Sequence, residues 1–325
     1  TAIAALGVTL GLAIFIFMNS MMKGFDRKST EAVFKTVSHI RLYKDDEVSM
    51  PLKMAAQNNA TNVIINPKII PQNNVLVNPE AIMNLLRKQK NVTVVTPQAA
   101  VTVFYNNGKS QITGNATGIN ISEADKMFNI KSTMVEGNAE DLQHVQNGIL
   151  LGVGIAAKMN VKTGDDISLT SSRSVTKVMR VVGLFRTSNS KVDKTNSYIS
   201  IQSAQQMLLQ SSTYITDINI NITDPDNPKE YAERFSKLTG YKAEDWKTAN
   251  ETLMAATKMR HVIITIISTC ILVVAGFGIY NILNMTITQK MNDIAILKAM
   301  GFRGKDVIRI FVQQALIVGC IGAVG

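Results

Sequence analysis

Apolar residues gather at the two ends of this chain, whereas the middle mixes apolar and polar positions. Residues 1–22 are broken only by Thr1, Thr9, Asn19 and Ser20, and charge first appears at Lys23, Asp26, Arg27 and Lys28. A helix of that length rises about 33 Å, enough for a hydrocarbon core of about 30 Å. The run is too long and too Met-rich at its end for a signal peptide, and no initiator Met precedes it. It is therefore read as a first span, in a chain that begins inside a longer sequence. Residues 262–287 contain no Asp, Glu, Lys or Arg, with Arg260 and His261 before them and Lys290 after. A core helix of a soluble protein would show a polar face over such a length. This run predicts a second span, 262–288, in which Gly276 and Gly278 permit close helix contact. A third apolar stretch begins near Val307 and still continues at Gly325, with Gly319, Gly322 and Gly325 at intervals of three. It predicts the start of a third span, 306–325.

Between the ends the pattern is that of a folded α+β domain. Residues 23–38 continue the first span as a stalk helix, and residues 39–43 read as a strand. Residues 44–78, rich in Asn and Pro, read as loop with short strands. Asn78-Pro79 opens a helix with Ile82, Leu85 and Leu86 inward. The β-branched run from Val92 to Tyr105 is a strand, and Asn106-Asn107-Gly108 is a hairpin signal leading to a return strand. Residues 149–187 predict strand, short helix, a Gly164-Asp165 turn and two strands. Residues 201–210 look helical. Ile218, Ile220 and Ile222 alternate with polar residues, as in a half-buried strand. Pro228 opens another helix and residues 241–246 form a last strand. Leu253, Ala256 and Met259 then mark a second stalk, 247–261. The outer pieces, 39–105 and 216–246, each give strand, helix and strand, which suits a small split βαβ unit. Residues 106–215 form an inserted, more β-rich subdomain.

Charge and composition sharpen this picture. The 325 residues carry 34 Lys and Arg against 24 Asp and Glu, a net charge of +10. Such a balance raises nucleic acid or a membrane surface, and the two apolar ends make the membrane the better explanation, so no nucleic-acid partner is expected. Two cysteines exclude a disulfide scaffold and a four-cysteine zinc site. His39, His144 and His261 sit in no metal-ligand spacing. Gly152-Val153-Gly154-Ile155-Ala156-Ala157 fits the G-x-G-x-x-A form of a dinucleotide turn. The acidic residue that should follow about 20 positions later is missing, so these glycines are read as serving a tight strand-to-helix turn. No phosphate-binding G-x-x-x-x-G-K loop is present. No nucleophile-base pair or metal set emerges, and the chain is not expected to be an enzyme.

The informative short segment is 289–305. It carries Lys290, Lys298, Arg303 and Lys305, with Arg309 just beyond, against Asp293 and Asp306. That excess marks it as the cytoplasmic side and places residues 23–260 outside. Ile294, Leu297 and Met300 recur at intervals of three, with Ala295 and Ala299 beside them, and Gly301 ends the helix. An amphipathic helix at this place either lies on anionic lipid or fits a groove on a cytoplasmic partner. The residues alone leave both open.

Residues 281–301, N-I-L-N-M-T-I-T-Q-K-M-N-D-I-A-I-L-K-A-M-G, closely resemble the signature of FtsX-like permeases of ABC transporters, the group of MacB, LolC and LolE. Gly7-Val8-Thr9-Leu10-Gly11, Met22-Lys23-Gly24-Phe25, Leu150-Leu151-Gly152, Val182-Gly183-Leu184-Phe185 and Asp245-Trp246 with Asn250 are similar to other parts of that family, nearest to the lipoprotein-releasing permeases. The resemblance implies membrane-spanning helices with a large α+β extracytoplasmic domain on helical stalks, in which a βαββαβ-like porter subdomain carries a β-rich sabre subdomain. It implies that Asp293, Ile294, Ala295, Ile296, Leu297, Lys298, Met300 and Gly301 form the coupling helix that seats in a separate cytoplasmic ATPase. ATP and magnesium would be used by that ATPase, with no cofactor bound by this chain. A second permease protomer, identical or not, a lipoprotein or periplasmic cargo or carrier, and membrane lipid would be the other partners, at the bacterial inner membrane. Export of the MacB type and activation of a cell-wall hydrolase are the alternatives within the family. LolC-type subunits carry a Pro-containing hook hairpin; the corresponding residues 169–176 are short and proline-free, as a LolE-like subunit or a MacB-type exporter would allow.

Overall fold

The computed structural model describes residues 2–45, 75–306, 308–313 and 317. Most of the loop expected over 44–78, and most of the third span expected over 306–325, lie outside the described residues. The chain divides into two compact units. One runs from Thr30 to Asn250, and the other gathers the residues up to Ser29 with those from Glu251 onward.

Ten strands and eleven helices, in chain order, make up the described fold. The helices are α1 (Ala2–Phe34), α2 (Pro79–Arg87), α3 (Ile121–Phe128), α4 (Asp141–His144), α5 (Val153–Met159), α6 (Ser190–Thr195), α7 (Ile201–Met207), α8 (Pro228–Thr239), α9 (Trp246–Ala249), α10 (Glu251–Gln289) and α11 (Met291–Ala299). The strands are β1 (Ile40–Tyr43), β2 (Val92–Asn107), β3 (Ser110–Ile119), β4 (Met134–Gly137), β5 (Gly148–Gly152), β6 (Asp166–Ser171), β7 (Thr176–Phe185), β8 (Asn196–Ser200), β9 (Asp217–Ile222) and β10 (Lys242–Asp245).

In the Thr30–Asn250 unit the strand order is β10-β1-β9-β2-β3-β8-β5-β7-β4, and β6 pairs with both β2 and β7. The sixth strand closes a ring. Going round, β2 pairs β3, β3 pairs β8, β8 pairs β5, β5 pairs β7, β7 pairs β6 and β6 returns to β2. The expected β-rich insert is therefore built round a closed six-stranded barrel, which leaves no free edge among its members. Val101, Val103, Leu169, Met179, Val181, Ile149 and Ile199 share its core, completed by Ile155 and Met159 of α5 and Met207 of α7. Tyr105 is buried there too. Its hydroxyl lies 2.7 Å from Ser197 Oγ and donates to the Asn115 carbonyl at 3.1 Å. Burial pushes that phenol above its ordinary pKa.

The first half of β2 belongs elsewhere. Val92–Gln98 pairs with β9, which joins β1 and β10 in an antiparallel four-stranded sheet. Ile218, Ile220 and Ile222 of β9 pack in one core with Leu86 of α2 and Phe235 of α8. The polar alternates Asp217 and Asn219 are buried as well and Asn221 is half-buried, so most of the strand is covered on both faces. Each finds a partner, as a buried polar group must. Asp217 accepts from Arg41 Nε at 2.6 Å, and Asn219 donates to Gln98 at 2.7 Å and accepts from Ser38 at 2.8 Å. A third core lies under α3 and α4, where Leu150, Val182 and Phe185 meet Ile121, Ala124 and Leu142. This explains the unbroken Ile149-Leu150-Leu151: alternate residues serve two cores on opposite faces of β5.

Most other elements follow the sequence reading, with corrections at Leu85 and Trp246 and a different reason for the glycines at 152 and 154. Leu85 faces out at 39% exposure, and Met83 takes its place beside Leu86, because the face of α2 turned to the sheet carries Ile82, Met83 and Leu86. Trp246 begins α9 instead of ending the last strand. Asp245 caps that helix by accepting from the Lys247 and Thr248 backbone amides. Gly152 does lie at a tight strand-to-helix turn, the last residue of β5 before α5 begins at Val153, but its φ of −63° needs no glycine, and the reason for glycine is space. A Cβ there would overlap the Asp193 carbonyl oxygen, and one at Gly154 would lie 2.5 Å from Lys194 Cγ. The glycines let α6 lie directly against the start of α5.

In the second unit, α10 runs unbroken for 39 residues. Among the described residues one helical segment, Glu251–Gly278, is long and apolar enough to cross a bilayer, with a mean hydropathy of 2.2. The span expected at 262–288 lies within α10. The span expected at 1–22 lies within the helix α1.

Two predictions follow from the packing. Gly152→Ala forces α5 and α6 apart and lowers stability by about 1–3 kcal/mol, read as a shift in the denaturant midpoint. His39 packs at 4.5 Å from Phe34, and its Nδ1 accepts from the Ile222 amide at 3.1 Å. Burial holds its pKa below the usual value, so the folded chain keeps it neutral while the unfolded chain protonates near pH 6.5. Its contribution is complete above about pH 6.5 and declines as pH falls through that value toward the lower folded pKa. Unfolding at pH 7.5 and 5.5 is expected to show this acid loss in the parent chain and a smaller one in His39→Gln.

Candidate functional site

The sequence segment with the sharpest functional signal, α11, is a short helix between two bends. Lys290 closes α10: its amide bonds back to Thr286 and Ile287, and its ammonium lies 2.7 Å from Asp293 Oδ2. That carboxylate, three residues on, raises the Lys290 pKa. At the other end Met300 caps the helix onto Ile296, and Gly301 adopts φ +96°, a conformation that favours glycine. Phe302 then bonds back to Leu297 through its amide.

No residue of α11 is buried. Ile294 and Leu297 are half-buried, whereas Asp293, Ala295, Lys298 and Gly301 are exposed. Ile296 and Met300 are exposed at 59% and 64%, and Phe302 beside them at 47%. The helix is not amphipathic in the expected sense. At about 100° per residue, Ile296, Met300, Leu297 and Ile294 fall within an arc of about 160°, but Asp293 lies inside that arc and Met291, Ala295 and Ala299 lie outside it. A helix that leaves Ile296, Met300 and Phe302 exposed has the composition of a contact surface.

The remaining candidates resolve into structural roles. Among the described residues no group of three His, Cys, Asp or Glu could hold a metal. His39 is packed in the Thr30–Asn250 unit. Tyr198, stacked on Phe185 at 5.0 Å, has its pKa pushed up to about 12 by burial, with Asp193 nearby adding to it. A cleft of about 450 Å³ opens beside α3, α4 and α7, lined by Asn120, Gln143, Asn147, Gln202 and Gln206, with His144 the sole titratable side chain at its walls. The sequence reading passed over one cluster altogether. Asp26 of α1 accepts from Arg260 at 2.6 Å and lies 2.8 Å from His261 Nε2, both on α10. The signal was present as the charges that border the two apolar runs, but nothing local pairs residues 234 positions apart.

Residues 1–238 match the family model of the MacB-like periplasmic core domain, and residues 265–325 match that of the FtsX-like permease C-terminal region. The chain belongs to this family. Among relatives of the MacB-like, FtsX-like group, it is 24% identical over 338 aligned positions to the lipoprotein-releasing system transmembrane protein LolC of Neisseria meningitidis, covering 99% of this chain and 74% of that one. It is 22% identical to the LolE protein of Haemophilus influenzae, covering 98% of this chain and 73% of that one. The periplasmic region of MacB from Actinobacillus actinomycetemcomitans, a crystal structure, is similar over 68% of this chain and 94% of its own, at 16% identity and a TM-score of 0.41. The match that begins at residue 265 takes in the second half of α10 and all of α11.

Proposed function

We propose that this MacB-like chain is the permease subunit of an ABC transporter, that it transmits the motion of a separate cytoplasmic ATPase to a domain on the far side of the membrane, and that its task is the release of lipoproteins from the inner membrane. The match of nearly the whole chain to two permease family models, with LolC and LolE among the relatives, carries this reading. In it, residues 1–22, 262–288 and 306–325 supply spans, and residues 23–38 and 247–261 the stalks. The four-stranded sheet with α2 and α8 is the porter subdomain, and the barrel the sabre. The hairpin of β6 and β7 turns within four residues, which leaves no room for an extended carrier-capturing hook.

The chain's own residues supply contact and stiffness, not bond chemistry. Ile294, Ala295, Ile296, Leu297 and Met300 would seat in the ATPase, with Asp293 and Lys298 at the rim and Gly301 ending the helix so that the next span can turn back. ATP and magnesium act in that partner. A push on α11 reaches α10 through the single residue Lys290. At 39 residues α10 is about 58 Å long and hydrogen-bonded throughout, so it moves as a rod. Its outer end follows α9 after Asn250, and α9 follows the edge strand β10. The change is a rigid-body switch between packed arrangements. A second protomer, the same or a related chain, would complete the machine.

Ile296→Glu tests this. The residue is 59% exposed, so stability is expected to stay within about 0.5 kcal/mol. In vesicles holding the complex, lipoprotein released per ATP should fall at least about tenfold, the cost of placing a charge in an apolar contact. Unchanged coupling would refute the role of α11. Release of small molecules, or activation of a cell-wall hydrolase, in place of lipoprotein release would move the chain to another branch of its family.

A further inference from the structure

Helices α1 and α10 meet at two places that share one register. A Cβ built on Gly11 lies 3.1 Å from the Ala275 Cβ, and Asp26 bonds Arg260 at 2.6 Å. The first residue of each pair is 15 positions from the other on α1 (26 − 11), and the second is 15 from the other on α10 (275 − 260). The two helices are therefore an antiparallel pair in constant register. Between the two contacts the buried positions are Met22 on α1 and Ile264 and Ser268 on α10. These side chains fix no register. Met22 and Ile264 are non-directional, and the Ser268 hydroxyl is buried without a hydrogen-bond partner. Contacts of this kind allow one helix to slide or roll on the other.

The outer end of the seam is different. Asp26 is held by two donors from adjacent residues, Arg260 at 2.6 Å and His261 at 2.8 Å. The Arg260 guanidinium also stacks 4.1 Å from the ring centre of Phe25. Asp26 and Arg260 are 26% and 30% exposed, and Phe25 is 54% exposed. Asp26 lies just after the end of the first apolar run and Arg260 just before the start of the second, at the water-facing boundary of the expected spans. A directional polar contact in an otherwise apolar helix seam sets register and partner choice.

We propose that Asp26, Arg260 and His261 form a register pin that locks the two long helices into one lever, so that displacement of α10 from the cytoplasmic end carries α1 with it. The inference rests on the permease reading for its consequence, though not for the existence of the pin. These are positioning residues: they touch neither nucleotide nor cargo.

The experiment uses the full chain with its ATPase partner in vesicles. The variants are Asp26→Asn, Arg260→Gln and the exchange Asp26→Arg with Arg260→Asp. Thermal unfolding of the detergent-purified chain reads the pin itself. Each single change lowers Tm, and the exchange recovers most of the loss. Lipoprotein released per ATP hydrolysed reads the lever. The single variants lower that ratio about fivefold or more while hydrolysis continues, and the exchange restores it to within about twofold. Additive Tm losses in the exchange overturn the pin. A recovered Tm with the ratio still low, or single variants with an unchanged ratio, overturn the lever role. If the parent complex releases no lipoprotein with ATP, the permease reading fails, and the Tm comparison still decides the pin.

Discussion

Strand β2 is the constraint on which the Thr30–Asn250 unit depends. Its sixteen residues belong to two structures at once. Val92 to Gln98 pair with β9 in the four-stranded sheet, and Ala99 to Asn107 pair with β3 in the barrel, where Val103 to Asn106 also meet β6. A sheet and a barrel joined by loops would be two bodies free to swing. Joined through one hydrogen-bonded strand, they cannot rotate without breaking its ladders. The buried polar contacts lie at the same place. Gln98, at the crossing point, accepts from Asn219 and gives its carbonyl to the Thr216 amide. A part that must deliver force to something outside the membrane needs this stiffness, and close-packed interiors supply it.

The membrane unit applies the same logic with different materials. Helix α10 keeps its backbone bonds internal over 39 residues, as a span must in a solvent that offers none. Small residues bring α1 close to it at Gly11 and Ala275, and a charged cluster holds the outer end. Helix α11 has no buried side chain. Exposure there and rigidity elsewhere are complementary: the surface that receives a push must be open, and the path that carries it must not yield.

Much of this was legible in the sequence, and the rest was hidden for physical reasons. The charge-free run after His261, the Pro228 helix start and the Asn-Asn-Gly hairpin are local signals, and each appears where the pattern puts it, with Gly108 at φ +58° in the turn. The barrel was not legible. Its closure depends on Asn106 meeting Ser168 and on Ile149 meeting Ile199, pairings that no local period encodes. Alternation on β9 gave the correct inward residues and the wrong burial, because Asn219 and Asp217 are covered by partners from distant segments. Gly152 sits at the strand-to-helix turn that the sequence suggests, but the need for glycine there comes from packing, which only the position of α6 could tell. At the site, charge and spacing pointed to α11, and family resemblance chose an ATPase contact over a lipid surface, a choice the residues alone leave open. The pairing of Asp26 with Arg260 needs the register of two spans.

Sidedness tests the central claim most directly, since a lever must have its receiving and working ends on opposite sides of one bilayer. In a chain with Cys270→Ala and Cys320→Ala, single cysteines at Ile296→Cys and Lys109→Cys would be treated with a membrane-impermeant maleimide. Both positions are exposed, the first on α11 and the second in the turn between β2 and β3. The account predicts that in spheroplasts position 109 reacts at once and position 296 only after the membrane is permeabilised. Labelling of position 296 in intact spheroplasts, or protection of position 109, would contradict it.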